Sequence, residues 1–428
     1  MLFVFSLILG AFSYPPCPSE TLVRPLPQPK VRQTPGRVFK SGFAAKASQS
    51  KMDAPGILTH CLACAAPLAH DAPRCVRCKS RYCNKTCQHD HWRRGHKQIC
   101  KKIHRGGNAE QYYADKKYKE AVAVAVEACE DDTKGQKCYI CLEAVHPHTG
   151  EGLVRGCACG DRDGVKSSEL GVAHVSCLAR QAKELVAEAY APWLLGNLDD
   201  NQWHRWYVCG LCEVSYHGVV RCALGWACWK TYLDRPESDQ LHAFGLNQLG
   251  NGLFAVSRHE ECLEVIKARL HLPLHPHQIL VTKGNLADCY RELGRENEAI
   301  SLSQEVHDGI VSIFGRSHTQ TMDSAINLAV ALNQFGRRAE SKRLLNEHIT
   351  IARQRGPNDK TVLTLRAVLA ETIIHDDDPT EAVTIFEDVD RRMRRVLGPA
   401  HPQSQSVRRG LEEARAKLLA FHDAADGA

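Results

Sequence analysis

Residues 61–100 read CLACAAPLAHDAPRCVRCKSRYCNKTCQHDHWRRGHKQIC. They contain Cys61-x2-Cys64, Cys75-x2-Cys78, Cys83-x3-Cys87 and His96-x3-Cys100. Zinc takes four thiolate or imidazole ligands in a tetrahedron, and closed sets of four cysteines, or of three cysteines and a histidine, typify structural sites. Eight such ligands in one short stretch predict two zinc ions. A disulfide framework needs an oxidising compartment, and it gives no role to a histidine four residues before the last cysteine. So short a segment, with few large apolar residues, cannot bury a core of its own. Metal binding then supplies folding free energy on the order of 10 kcal/mol. His60, His70, His89 and His91 lack ligand spacing and are expected at the surface.

The spacing resembles that of the MYND zinc finger across the whole stretch. Tyr82 before Cys83 and the run Cys87-Gln88…Trp92…His96-Lys97…Cys100 also match. The resemblance implies interleaved ligand pairs, with Cys61, Cys64, Cys83 and Cys87 on one ion and Cys75, Cys78, His96 and Cys100 on the other. It also implies that a short proline-rich peptide is held beside the helix after Cys87, at Gln88 and Trp92. An aromatic face is the usual support for such a segment; the alternative for Trp92 is packing against the zinc loops. A helix is expected over 86–103, which places Gln88, Trp92, His96 and Cys100 four residues apart on one face.

A second constellation runs Cys138-x2-Cys141, Cys157-x-Cys159, His174-x2-Cys177 and Cys209-x2-Cys212. Its order of seven cysteines and one histidine resembles the RING-CH class of RING fingers. The cross-brace of that family implies that Cys138, Cys141, His174 and Cys177 share one zinc, and Cys157, Cys159, Cys209 and Cys212 another. About four zinc ions per chain are then expected. Ile140 matches the apolar position that touches the ubiquitin-conjugating enzyme in active RINGs. Two departures weigh against activity: the gap from Cys159 to His174 is long, and Gln181 stands where tryptophan is common. Cys17, Cys129, Cys222, Cys228, Cys262 and Cys289 form no third ligand set.

Before the second constellation, residues 108–130 carry apolar residues at helical spacing, as expected of a linking helix packed on the next module. Within and after it come Trp203, Trp206, Tyr207, Tyr216, Trp226, Trp229 and Tyr232. These read either as a stacking platform for a peptide or base, or as a small core that seals the module, and the size of tryptophan favours the core.

From Asp239 onward cysteine nearly vanishes and a repeat appears. Asn285-Leu286-Ala287 recurs as Asn327-Leu328-Ala329, and Leu293-Gly294-Arg295 as Phe335-Gly336-Arg337. His275-Pro276, His318-Thr319, Asn358-Asp359 and His401-Pro402 mark the starts of successive units. A period near forty means helical hairpins stacked into a solenoid. With Val396-Leu397-Gly398-Pro399-Ala400-His401-Pro402, the pattern resembles the kinesin-light-chain-like form of the tetratricopeptide repeat. Four units are expected at 239–274, 275–317, 318–357 and 358–400, capped by a helix at 403–420. Each hairpin buries its apolar face against its neighbours. Asn285 and Asn327 hold equivalent positions on the first helices and are candidates for the concave surface.

The predicted fold class is therefore multi-domain and mainly α: two small cross-braced zinc modules followed by an α-helical tetratricopeptide solenoid. The expected divisions are a signal- or transit-like or disordered leader at 1–55, the MYND finger at 56–104, a linker at 105–136, the RING-CH-like module with its Trp-rich extension at 137–235, and the solenoid with its cap at 236–420. The leader opens with the apolar run MLFVFSLILGAFS, too short to span a membrane, and continues with a basic, acid-poor stretch over Glu20–Lys51. That order resembles bipartite plastid-targeting sequences. Extensive zinc-thiolate usage instead favours an intracellular protein, cytoplasmic or nuclear. No later segment is apolar enough to span a membrane.

Hydrophobic content is 43% and net charge +6 over 428 residues, so bulk charge argues against a nucleic-acid partner. Locally, Arg74–Arg105 holds eleven Lys or Arg and Asp90 as its one acid. Compensation of the negative zinc–thiolate clusters, with ordinary solvation, is the expected reason for cations there; a phosphate-binding patch is the alternative. No nucleotide-binding loop, HExxH or other catalytic set is present, and closed ligand sets leave no open coordination position. Two function classes follow. One is a zinc-dependent protein-interaction adaptor, with a proline-rich segment at the finger and a peptide or helix at the solenoid. The other is a RING-type ubiquitin ligase whose solenoid selects substrate.

Overall fold

The computed structural model describes residues 59–68, 71–157, 159, 171–190, 200–213, 215–375, 379–396, 399 and 402–426. The leader expected over 1–55, His70, most of the gap between Cys159 and His174, the Asp376–Asp378 turn and the middle of the Val396–Pro402 motif lie outside these residues. The described chain is mainly α-helical, and its β-pairing is confined to isolated bridges. It divides into two compact units between Ser257 and Arg258.

The cysteine-rich unit starts with two loops and α1 (Lys85–His91). Asn84 caps α1 by accepting the Cys87 amide at 2.9 Å. The single helix expected over 86–103 is broken. Gly95 adopts φ 131°, which a residue with a side chain rarely takes, and the chain turns over Trp92–His96 before α2 (Lys97–Arg105). Gln88 thus lies on α1 and Trp92 directly after it, whereas His96 and Cys100 are both buried at the start of α2.

Asn108 caps α3 (Ala109–Ala128), the expected linking helix. The Ala109 amide donates to the Cys78 carbonyl at 2.8 Å. Further along α3, the Tyr118 hydroxyl donates to Glu151 at 2.7 Å, and the other Glu151 oxygen accepts the Ser176 amide at 3.0 Å. One carboxylate therefore fastens α3 to the start of α5 (Val175–Tyr190). A single turn, α4 (Glu130–Thr133), follows α3.

Beyond α5 lie a 3₁₀ turn at 200–206, α6 (Gly218–Tyr232) and α7 (Gln240–Phe254). The seven aromatic residues from Trp203 to Tyr232 are all buried, so they are the core of this unit and not an open platform. The Trp206 indole donates to the Tyr232 hydroxyl at 3.3 Å, and Trp203 packs edge-on against Phe244 of α7. Two glycines let α6 and α7 approach closely. A Cβ at Gly225 would sit 2.7 Å from the Gln248 carbonyl oxygen, and one at Gly252 3.0 Å from that of Arg221. The helix that opens the first unit counted from sequence thus packs within the cysteine-rich body.

In the other unit, α8 (His259–Leu270) packs on α9 (Pro276–Glu292). Helices α10 (Glu296–Phe314), α11 (Thr319–Gln334), α12 (Arg338–Ala352), α13 (Lys360–Ile373) and α14 (Thr380–Val396) follow, and α15 (Pro402–Asp426) closes the stack. Each helix packs on the next, as in a tetratricopeptide-like solenoid. The repeated sequence words are its turns. Gly294 and Gly336 have φ of 70° and 79°, and the Arg295 and Arg337 amides close the turns on Tyr290 and Leu332 carbonyls at 2.9 and 2.8 Å. Asp359 caps α13 through the Thr361 and Val362 amides. Met322, Ile326, Leu345, Leu363, Phe386 and Val389 form much of the core.

The solenoid also buries acids. Burial, and then Glu413, pushes Glu371 on α13 up to about 8. A carboxyl held protonated by folding contributes stability below its unfolded value near 4.5, and that contribution is lost as pH rises through 8. Glu371→Gln should therefore raise the thermal midpoint at pH 9 more than at pH 5. An equal shift at both pH values would contradict the burial of this group.

Candidate metal centres

Four Cys-x2-Cys turns share one backbone design. Ala65, Lys79, Leu142 and Glu213, each directly after the second cysteine, have φ of 60°, 62°, 63° and 58°. Each donates its amide to the carbonyl of the first cysteine, at 2.8, 2.9, 2.8 and 3.0 Å. Three of the turns are framed by the same antiparallel bridge, His60 to Pro67, Arg74 to Arg81 and Val208 to Ser215. Inside the turn, amides point at the first sulfur: Ala63 to Cys61 and Ile140 to Cys138 at 3.4 Å, Leu211 to Cys209 at 3.5 Å.

This design sorts the thiols. At Cys61 burial opposes ionisation, but the amides of Cys83, Ala63 and Cys64 outweigh it and bring the thiol down to about 7. Cys75 and Cys138 are lowered in the same way, with amide bonds overcoming burial. Cys209 falls to about 4, first through its contact with the Cys157 thiol. The first cysteine of every turn is thus shifted toward the thiolate, the form that binds metal. Cys78 goes the other way, raised by its burial, and burial and then Cys78 push Cys100 up to about 12.

The turns bring the sixteen expected ligands together in four sets: Cys61, Cys64, Cys83 and Cys87; Cys75, Cys78, His96 and Cys100; Cys138, Cys141, His174 and Cys177; Cys157, Cys159, Cys209 and Cys212. Within each set the ligand atoms lie within 4.8 Å of one another. The spacings decide between a metal and a disulfide. Sulfurs lie 3.5 Å apart for Cys64 and Cys83, 3.9 Å for Cys75 and Cys100, and 3.6 Å for Cys159 and Cys209. A disulfide needs about 2.05 Å. A tetrahedron with metal–sulfur bonds of about 2.3 Å has edges of about 3.8 Å. The donor sets therefore fit a four-coordinate thiophilic ion.

The two histidines face their sets through different nitrogens. His96 presents Nε2, 3.3 Å from Cys78 Sγ, and its Nδ1 is buried without a hydrogen-bond partner. His174 presents Nδ1, 3.3 Å from Cys141 Sγ and 3.7 Å from Cys177 Sγ. Burial, and then the charge of His91, lowers His96 to about 4, which leaves its ring neutral and able to ligate.

His91, expected at the surface, is instead half-buried. Its ring stacks on His96 at 4.7 Å, and its Nδ1 meets the Tyr82 hydroxyl at 3.0 Å. Spacing could not reveal it, because His91 supports a ligand without being one; Tyr82, fully buried beside Cys83, was the available signal. Ser80 adds a hydroxyl 3.0 Å from Cys78 Sγ.

Trp92 is 37% exposed, and its ring meets His96 edge-on at 6.0 Å, while Gln88 is half-buried. Ile140 and Gln181 are half-buried, as are Asn285 on α9 and Asn327 on α11. Of the cysteines outside the four sets, Cys262 and Cys289 meet in the core between α8 and α9, sulfurs 3.2 Å apart; Cys129, Cys222 and Cys228 are buried, and Cys17 lies outside the described residues.

Comparison with known proteins bears on the solenoid. Residues 277–354, spanning α9 to α12, match the tetratricopeptide repeat family. Nothing among curated proteins matches the chain. Similar solved structures include nearly identical TPR-like repeats assigned to kinesin light chain from Podosopora anserina, at 17% identity and TM-score 0.37, covering 52% of this chain and 97% of that one. BtubC (BKLC) from P. vanneervenii is 13% identical at TM-score 0.35, covering 59% and 91% respectively.

The left-handed turn residues generate a test. Lys79 is exposed, so its side chain contributes little beyond the backbone conformation it must adopt. Lys79→Gly should stabilise the metal-loaded protein by about 0.5–1 kcal/mol, and Lys79→Val should destabilise it by a similar or larger amount. Denaturant midpoints measure both; a valine tolerated as well as glycine would contradict the turn geometry.

Proposed function

We propose that the chain is a zinc-dependent protein-interaction adaptor. The observation that carries this reading is the closure of all four ligand sets. With every set holding four protein ligands, an ion there shapes the fold and has no open position for a substrate or an activated water. Zinc is the ion of choice, because thiolates with a minority of imidazole in tetrahedra are its usual structural company.

Recognition then falls to two surfaces. A helical solenoid presents an extended face to a peptide or helix, here with Asn285 and Asn327 as polar candidates. The finger would hold a proline-rich segment against Trp92, with Gln88 offering an amide. Packing on His96 orients the Trp92 ring while leaving part of it in solvent, which is compatible with a peptide contact there. The resemblance of the first module to MYND fingers motivates the choice of peptide.

Titration of a proline-rich peptide into the zinc-loaded chain tests the proposal. Trp92→Ala should abolish binding with zinc content unchanged, and Gln88→Ala should weaken it by about 1 kcal/mol, the usual net value of one hydrogen bond. An absence of binding to the unaltered chain, or zinc loss in Trp92→Ala, would remove the site.

The second reading, a RING-CH-like ubiquitin ligase, is favoured by half-buried Ile140 within the third turn and by exposed Leu142 and Val145 after it. Ligases of that type need no nucleophile of their own. With Gln181 in place of tryptophan, the expectation is that the chain does not discharge a ubiquitin-charged conjugating enzyme. Robust discharge that is lost in Ile140→Ala would replace the adaptor by the ligase.

A further inference from the structure

We infer that the segment held by the first module is acidic: an extended peptide, with carboxylates at alternate residues, lying along α2 from Trp92 onward. The inference rests on the peptide-binding reading of Trp92 and adds the charge and spacing of the ligand.

Helix α2 buries Cys100 and Ile103 and exposes Lys97, Lys101 and Arg105. Residues four apart lie on one face of a helix, each about 6 Å further along its axis. The three cations therefore form a line. Lys102 flanks it, and Arg93 is exposed beside Trp92. Trp92 packs on His96, the residue directly before α2, so its ring lies near the N-terminal end of that helix, where Lys97 begins the line.

Among the described residues none of these five cations has an ion-pair partner. The solenoid treats its cations otherwise: Arg316 pairs with Glu347, Arg337 with Glu340, and Arg366 with Asp388, each at 2.6 Å. Compensation of the metal clusters does not account for the difference. Seven thiolates on two divalent ions leave a charge of only about −3, against eleven Lys or Arg and two acids, Asp71 and Asp90, over residues 59–105.

The ligand geometry follows from the line. Side chains on one face of an extended strand recur at every second residue, about 6.7 Å apart. That step nearly matches the 6 Å step of Lys97, Lys101 and Arg105, so alternate carboxylates meet successive cations. A single-stranded nucleic acid would bring comparable charge but needs a series of aromatic faces for its bases. Between residues 59 and 105 the tyrosine and tryptophan side chains are Tyr82, fully buried, and Trp92, partly in solvent. The surface therefore suits a peptide better.

The test uses the full zinc-loaded chain and three fluorescent peptides of equal length. The first joins a proline segment to alternating glutamates, the second replaces those glutamates by glutamine, and the third keeps the glutamates but replaces proline by alanine. At low salt the first should bind about tenfold more tightly than the second, the sum of a few exposed charge pairs. The advantage should shrink as salt screens it. Combined K97A, K101A and R105A should bring the first peptide to the level of the second, leaving the second and the zinc content unchanged. Lys101→Glu, paired with a peptide carrying lysine at the facing position, should restore binding and guards against a folding artefact. Equal binding of the first two peptides overturns the inference but leaves the Trp92 site standing. Failure of all three to bind removes both. Displacement of the first peptide by a thymidine oligonucleotide of equal charge, at lower concentration than the peptide itself requires, assigns the surface to nucleic acid and also overturns the inference.

Discussion

Amide N–H groups aimed at the sulfur of a cysteine are the interaction on which the cysteine-rich unit depends. Each Cys-x2-Cys turn places a residue in the left-handed region, at a cost that a side chain makes unfavourable by about 1–2 kcal/mol. In return the first cysteine gains donors that favour its thiolate. Three or four sulfurs crowded into one set repel one another once ionised, so a cation among them favours the ionised set and with it the turn. Local backbone, ligand chemistry and folding are thereby one problem. The same coupling explains why α3 can act as a strut: it is fastened to the Cys78 carbonyl at one end and, through Glu151, to the residues around His174 and Cys177.

The solenoid is held by other means. Its turns include glycine caps, its core is largely aliphatic, and many of its charges are paired across and along helices. Among its described residues there is no cluster of potential metal ligands. The two kinds of unit suit an adaptor in different ways. For the proposed adaptor, a surface pinned by metal would offer a few fixed groups such as Trp92, and a stack of hairpins would offer area.

Much of this was legible in the sequence, because ligands and turn glycines are chemically distinctive and sit at fixed intervals. The pairs Cys61/Cys64 to Cys209/Cys212 and the words Leu293-Gly294-Arg295 and Phe335-Gly336-Arg337 mark their own roles. Features that depend on packing were not legible. Gly95 breaks the helix between Trp92 and His96, although the i, i+4 series of Gln88, Trp92, His96 and Cys100 reads as continuous; periodicity does not register one residue with φ 131°. His91 became a support for His96 only when the turn folded it back. Helix α7 carries the pattern of a repeat, yet Gly225 and Gly252 allow it a closer neighbour in α6 than pattern alone would assign. The left-handed residues after each turn are Ala, Lys, Leu and Glu. None is a residue type that announces such a conformation.

The central claim is that the four sets are closed tetrahedral zinc sites. X-ray absorption at the zinc edge of the purified chain tests it most directly. The sets contain fourteen cysteines and two histidines. Four zinc ions per chain should therefore show an average shell of about 3.5 sulfurs near 2.3 Å and 0.5 nitrogen near 2.0 Å, without oxygen. A shell with oxygen, or with fewer than three sulfurs per ion, would mean an open or incomplete site and would contradict the account.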